Sequence, residues 1–204
     1  MAYEESAFIH LENDTTTYSK AIESSLTKLL GSHRINISYP KNNAQITNLG
    51  ELEQNNYSRQ NIISIASRLR ESSIKGNSSI KVLVLDGYYI KNTQVQKKLL
   101  GINLENSAIV AIFKPAIRSS SSIVKDQHIV EQSTILHEIG HALGLTNNGV
   151  SCTSNHEDNE HKAHCLNDNC VMNWQTCGGN LPQRQGTMAI KKFCKACLSD
   201  IASK

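Results

Sequence analysis

Ile135-Leu136-His137-Glu138-Ile139-Gly140-His141-Ala142-Leu143-Gly144-Leu145 is the stretch on which the reading of this chain turns. Histidines four residues apart lie one above the other on a helix face. Both imidazoles therefore reach a single ion, and a glutamate beside the first addresses a water held there. The flanking Ile135, Leu136, Ile139, Ala142, Leu143 and Leu145 are apolar, which predicts a buried helix. Two histidines and a carboxylate are costly to bury without a metal partner. Gly144 offers a helix stop that turns the chain back beneath the metal. The spacing is that of a zinc hydrolase, but the same five-residue pattern also recurs by chance in unrelated helices, so the neighbouring sequence has to decide.

Working outward, the hydrophobic spacing predicts the long motif helix over 124–145, preceded by a flexible serine link at 119–122. Ile80–Leu85 reads as a central strand. Ser107–Phe113 reads as a second strand, bordering the cleft and able to pair with an extended substrate backbone. Helices are expected over Tyr18–Leu30, closed by Gly31, and over Tyr57–Arg70, capped by Ser58. Ile35, Ile37 and Tyr39 alternate with polar residues before Pro40, as in a half-buried first strand. Residues 1–16 are polar and are expected to be a loose extension. A C-terminal helix is expected from Met188 to Ile201. No internal repeat is evident.

The 204 residues suffice for one domain built of two subdomains, 17–145 and 146–204. A formal net charge of +3, with the basic pairs Lys97-Lys98 and Lys191-Lys192 read as solvated helix faces, argues against a nucleic-acid partner. No apolar window is long enough for a membrane span, and the acidic, polar start does not resemble a signal peptide. The expectation is a cytoplasmic protein, in which the Asn-x-Ser/Thr triplets at Asn13, Asn36, Asn56 and Asn77 are accidental. All six cysteines lie in the last third, interleaved with histidines, and without a leader they read as metal thiolates rather than disulfides.

A catalytic zinc takes three protein ligands and keeps a position for water, so His137 and His141 need a third partner downstream. Several segments together are specific: His137 through Gly144, then His164-Cys165, then Cys170-Val171-Met172, then Cys194-Lys195-Ala196-Cys197. This series resembles the archaemetzincin branch of the metzincin metallopeptidases, whose pattern is HExxHxxGxx followed by HC, CxM and CxxC. The resemblance covers about the last third of the chain. It implies a third zinc histidine at His164, a methionine turn at Met172 beneath the catalytic metal, and a second, structural zinc held by Cys165, Cys170, Cys194 and Cys197. It also implies a metzincin-like α+β fold. That fold has a mixed twisted sheet with packing helices and a long active-site helix, followed by a small irregular C-terminal part stapled by zinc.

The sequence departs from the family at Asn147. The family places its third histidine three residues after the glycine, whereas here that position is an asparagine and His164 follows a polar insertion. A neutral amide oxygen is a poor zinc ligand, so the third ligand is expected at His164, with His161, His156 and Asp158 as alternatives. The four thiolates have a rationale of their own, because Cys-x4-Cys and Cys-x2-Cys suit a closed tetrahedral zinc site. Cys152 and Cys177 are left without a role. The function these residues suggest is peptide-bond hydrolysis of a peptide or protein substrate, using two zinc ions and Glu138 as general base. The rival is a non-catalytic zinc-stabilised binding module, which a fourth protein ligand on the histidine metal would favour. Tyr88, Tyr89 and Trp174 are candidate cleft residues. Substrate preference and oligomeric state are not written in the sequence.

Overall fold

The computed structural model describes residues 1–4, 15–33, 39–40, 43–52, 54–69, 79–105, 107–120, 124–176 and 190–204. Its centre is a pair of parallel strands, β4 (Lys81–Leu85) and β8 (Ile109–Phe113), in register from Lys81 against Ile109 to Leu85 against Phe113. Their runs of valine, leucine and isoleucine are buried on both faces, which is why they read as continuous apolar segments rather than alternating ones. β1 (Ala2–Tyr3) pairs in parallel with β4 on one side and with β2 (Thr47–Asn48) on the other. β7 (Gly101–Asn103) closes the opposite edge antiparallel to β8, giving a mixed sheet in the order β2-β1-β4-β8-β7.

Two expectations are corrected here. Residues 2 and 3 are not part of a loose extension but an interior strand, with Ala2 fully buried. The segment expected to border the cleft, Ile109–Phe113, is itself interior, and the edge strand is β7.

A second, smaller sheet joins β3 (Asn56–Tyr57), β5 (Tyr88–Lys91) and β6 (Gln94–Gln96). Glu4 ties the two sheets together. Its buried carboxylate accepts hydrogen bonds from the Tyr57 hydroxyl at 2.8 Å and from the Asp86 backbone N–H at 2.6 Å.

Helices α1 (Thr15–Leu30), α2 (Arg59–Ser67), α3 (Lys114–Ser120), α4 (Val124–Ala142) and α5 (Lys195–Ala202) pack around this frame. Ser58 caps α2 as expected, in a capping box with Asn61. Ser119 and Ser120, expected in a flexible link, belong to α3 and bond back to the Ala116 and Ile117 carbonyls. Lys114 of α3 forms a buried ion pair with Glu131 of α4, which fixes the motif helix to the end of β8. The last helix starts at Lys195 rather than at Met188. Lys192 instead forms a parallel bridge with Cys170 and accepts the Val171 N–H at 2.9 Å. The expected strand at residues 35–39 lies almost wholly outside the described residues, as do Cys177 and Met188. No described helix is long and apolar enough to cross a membrane.

Candidate metal centres

Helix α4 carries the motif into the core. His137 and Glu138 are 1% and 4% exposed, and the helix ends where the sequence requires. Gly144 adopts φ +86° and donates to the His141 carbonyl at 2.9 Å, while the Leu145 N–H reaches the Gly140 carbonyl at 3.0 Å. This is a Schellman stop, in which a left-handed residue lets two late carbonyls find donors. The chain then turns back under the helix, and Met172 is fully buried against Gly140.

His164 joins His137 and His141. The three rings are 4.6 to 5.2 Å apart between centroids, their ligating nitrogens lie within 4.8 Å of one another, and the Nε2 atoms of His137 and His141 are 2.9 Å apart. The His137 Nδ1–H donates to the Val171 carbonyl at 2.7 Å, which leaves its Nε2 lone pair facing the cluster. The His164 Nδ1–H likewise donates to the Lys162 carbonyl at 2.9 Å. Burial, with the neighbouring imidazoles, lowers His137 well below its ordinary value and His141 to about 3, and burial also lowers His164. Neutral imidazoles with lone pairs converging on one point are the donor set that zinc takes.

The competing residues are engaged elsewhere. His161 stacks on Trp174 at 4.0 Å and its Nδ1 is 3.1 Å from Asp158. His156 lies between Asp200 and Cys165. Asn147, where the motif would place a ligand, is in the left-handed region at φ 60°. There it holds the insertion, accepting the Cys152 N–H at 2.8 Å and donating to Glu157 at 2.7 Å. The insertion folds back as a short antiparallel pairing of Glu157 with Cys165. Asp158 N–H donates to the His164 carbonyl and Leu166 N–H to that of His156, and this pairing delivers His164 to the cluster.

Next to it, Cys165, Cys170, Cys194 and Cys197 converge. Their sulfurs are 3.8 Å apart for Cys165–Cys194 and 3.6 Å for Cys170–Cys197. A disulfide would hold them at about 2.05 Å, whereas thiolates on a tetrahedral zinc, at Zn–S of about 2.3 Å, lie about 3.8 Å apart. The spacing fits a shared ion. The four thiols also oppose one another's ionisation. Hydrogen bonds from Cys165 and Cys197 hold Cys170 low, and those from Cys165, Cys170 and Cys197 hold Cys194 low, while Cys165 and Cys197 are pushed up. A divalent cation is the natural way to keep all four deprotonated.

Sequence reasoning missed three features. Gly101 of β7 lies so close to α4 that a β-carbon would meet Thr134 and come within 3.1 Å of the Glu138 side chain. The Val171 carbonyl orients His137. His156 and Asp200 lie beside the thiols. Each depends on contacts between distant segments, and no local pattern marks them. Of the candidate cleft residues, Tyr89 is a core residue packed at a tilt against Phe113, with ring centroids 5.7 Å apart, whereas Trp174 covers His161.

No protein-family profile and no curated protein sequence matches the chain. Solved structures do. An archaemetzincin from Methanopyrus kandleri superposes with a TM-score of 0.55 at 10% identity, over 99% of this chain and 92% of its own. The fold is that of the archaemetzincins. A zinc-dependent peptidase from Methanocorpusculum labreanum gives a TM-score of 0.51 at 11% identity, over 98% of both chains. At such identities the archaemetzincin likeness is one of architecture, and the chemistry has to be argued from this chain's own residues.

Proposed function

We propose that this chain is a zinc-dependent metallopeptidase with one catalytic and one structural zinc. The observation that carries the reading is the convergence of His137, His141 and His164, with the buried Glu138 on the same helix. Among the described residues, the metal-capable side chains at this point number three. That supports a ligand set with a position left for water, and it weighs against a purely structural module.

Bound there, zinc supplies a Lewis acid that polarises a scissile carbonyl and makes water a competent nucleophile at neutral pH. The three imidazoles are held neutral by burial and two are oriented by backbone carbonyls. Glu138 takes the proton from the attacking water and returns it to the leaving amine. β7 is the edge of the five-stranded sheet and runs past Glu138. It is suited to pair with an extended peptide and to bring one of its carbonyls to the centre. Met172 closes the floor beneath Gly140.

Cys165, Cys170, Cys194 and Cys197 would hold the structural ion and pin helix α5 to the loop beside the histidine cluster, within a second subdomain at 146–204. Their thiolate chemistry suits a reducing, cytoplasmic compartment. The substrate class is a peptide or protein. The test is cleavage of a mixture of quenched fluorogenic peptides by protein counted to hold two zinc ions. Cleavage should be lost on chelation and restored by zinc, and a doubly loaded protein that cleaves no peptide in a broad mixture would sink the reading.

A further inference from the structure

Cys152, His156 and Asp200 form a third gathering of metal-capable side chains, but its polar atoms already have partners. The Asp200 carboxylate, fully buried on α5, accepts from the Thr153 N–H at 2.7 Å and the Thr153 hydroxyl at 2.9 Å through Oδ1. Its Oδ2 accepts from His156 Nε2 at 2.7 Å. The opposite ring nitrogen, Nδ1, is 3.5 Å from the Cys165 sulfur. The arrangement is therefore a chain running carboxylate, imidazole, sulfur, and its last member belongs to the thiolate cluster. Asp200 lies one helical turn beyond Cys197 on the same helix, so α5 supplies both a thiol and the group that orients the histidine.

We propose that His156 is a positioning residue for the thiolate zinc: as an imidazolium with an N–H on each ring nitrogen, it donates Nδ1–H to the Cys165 thiolate and Nε2–H to Asp200, which fixes the ring in that orientation. The inference rests on the thiolate-zinc reading above. A tetrathiolate site around a divalent ion carries two net negative charges. A hydrogen bond to one sulfur draws charge off it and restrains its direction, as partners of metal ligands generally do. His156 comes from the insertion and contacts the sulfur of the residue adjoining His164. It thus clamps the insertion to the thiolate cluster just where the chain crosses to the histidine cluster.

Two substitutions separate the donor from its support. His156→Gln puts an amide near the place of Nε2, which keeps a partner for Asp200 and withdraws the donor from Cys165. His156→Asn puts an amide near the place of Nδ1, which keeps the donor and gives up Asp200. The full chain loaded with zinc is challenged with a chromogenic chelator, and the cobalt-substituted protein is examined for its sulfur-to-cobalt charge-transfer band. His156→Gln should release one of two zinc ions about 10- to 100-fold faster than wild type and shift the band. His156→Asn should retain more of the wild-type band, and Asp200→Asn should fall between them. Wild-type release and an unshifted band in a folded His156→Gln protein would overturn the proposal while leaving the thiolate site standing. A wild-type chain holding only one zinc, still held after Cys194→Ser, would overturn the thiolate reading and this proposal with it.

Discussion

The sulfur of Met172 occupies the space that a β-carbon on Gly140 would need, and a ring carbon of Phe193 lies 3.2 Å from the same position. The glycine inside the motif is therefore a packing requirement of the floor beneath the histidines. Alanine at this position would gain about 1 kcal/mol of helix propensity but meets a fully buried neighbour, and overpacking of a dense core costs about 1–3 kcal/mol. Gly140→Ala should lower the urea midpoint. In a cycle with Met172→Ala, the two changes should couple favourably, and strict additivity would show that the contact does not matter.

Removing the proposed general base should separate chemistry from binding. Glu138→Gln keeps the shape of the side chain and should reduce peptide hydrolysis by about 10²- to 10⁴-fold while metal content stays at the wild-type value. A variant that cleaves at the wild-type rate would rule out the role given to Glu138.

His164→Ala should lose one zinc per chain and keep the other, whereas His161→Ala should keep both, because its ring lies on Trp174. Asn147→His should not rescue His164→Ala. The residue at that position sits at φ 60° and anchors the insertion through Cys152 and Glu157, so the new imidazole would cost those contacts. Restoration of the second zinc in the double variant would contradict this.

Acid should weaken the metal-free protein. Burial lowers His141 to about 3 from an ordinary value of 6.5, and lowers His137 and His164 in the same direction. Between the two limits the unfolded chain takes up protons that the folded chain refuses. The stability these neutral rings contribute is thus present above about pH 6.5 and is lost as pH falls toward 3. Urea midpoints of the apoprotein should drop from pH 7 to pH 5, and His141→Gln should flatten that slope.

The ion pair between Lys114 and Glu131 has side chains 4% and 3% exposed. Glu131→Ala strands a buried charge and should cost about 3–5 kcal/mol. Replacing both partners by methionine should cost much less, and equal losses in the two cases would show that packing, not charge, holds α3 to α4.

How far the sequence led depended on the range of each interaction. β4, β8, α1, α2 and the motif helix were legible because apolar periodicity is a local signal, and Ser58 and Gly144 marked their ends by local chemistry. Two- and three-residue strands such as β1, β3 and β7 have no periodicity, and their pairing partners lie 45 or more residues away in the case of β1 and 32 in that of β3. The His164 expectation came from a family pattern. What seats His164, the pairing of Glu157 with Cys165, arises within a polar insertion that carries no helical or strand rhythm. Trp174 and Tyr89 could not be told apart, since both are aromatic and only tertiary packing puts one beside His161 and the other in the core.

Three consecutive residues serve both centres: Cys170 contributes a sulfur to the cluster of thiols, the Val171 carbonyl receives the His137 Nδ1–H, and Met172 packs under Gly140. On the two-zinc reading proposed above, an ion gripping Cys170 would restrain the atoms that orient His137, and the affinities of the two ions would be linked. Linkage of this kind is reciprocal. Occupancy of the thiols should tighten the histidine ion by the same factor that occupancy of the histidines tightens the thiolate one, and a chain short of zinc should populate the empty and doubly filled forms at the expense of the half-filled.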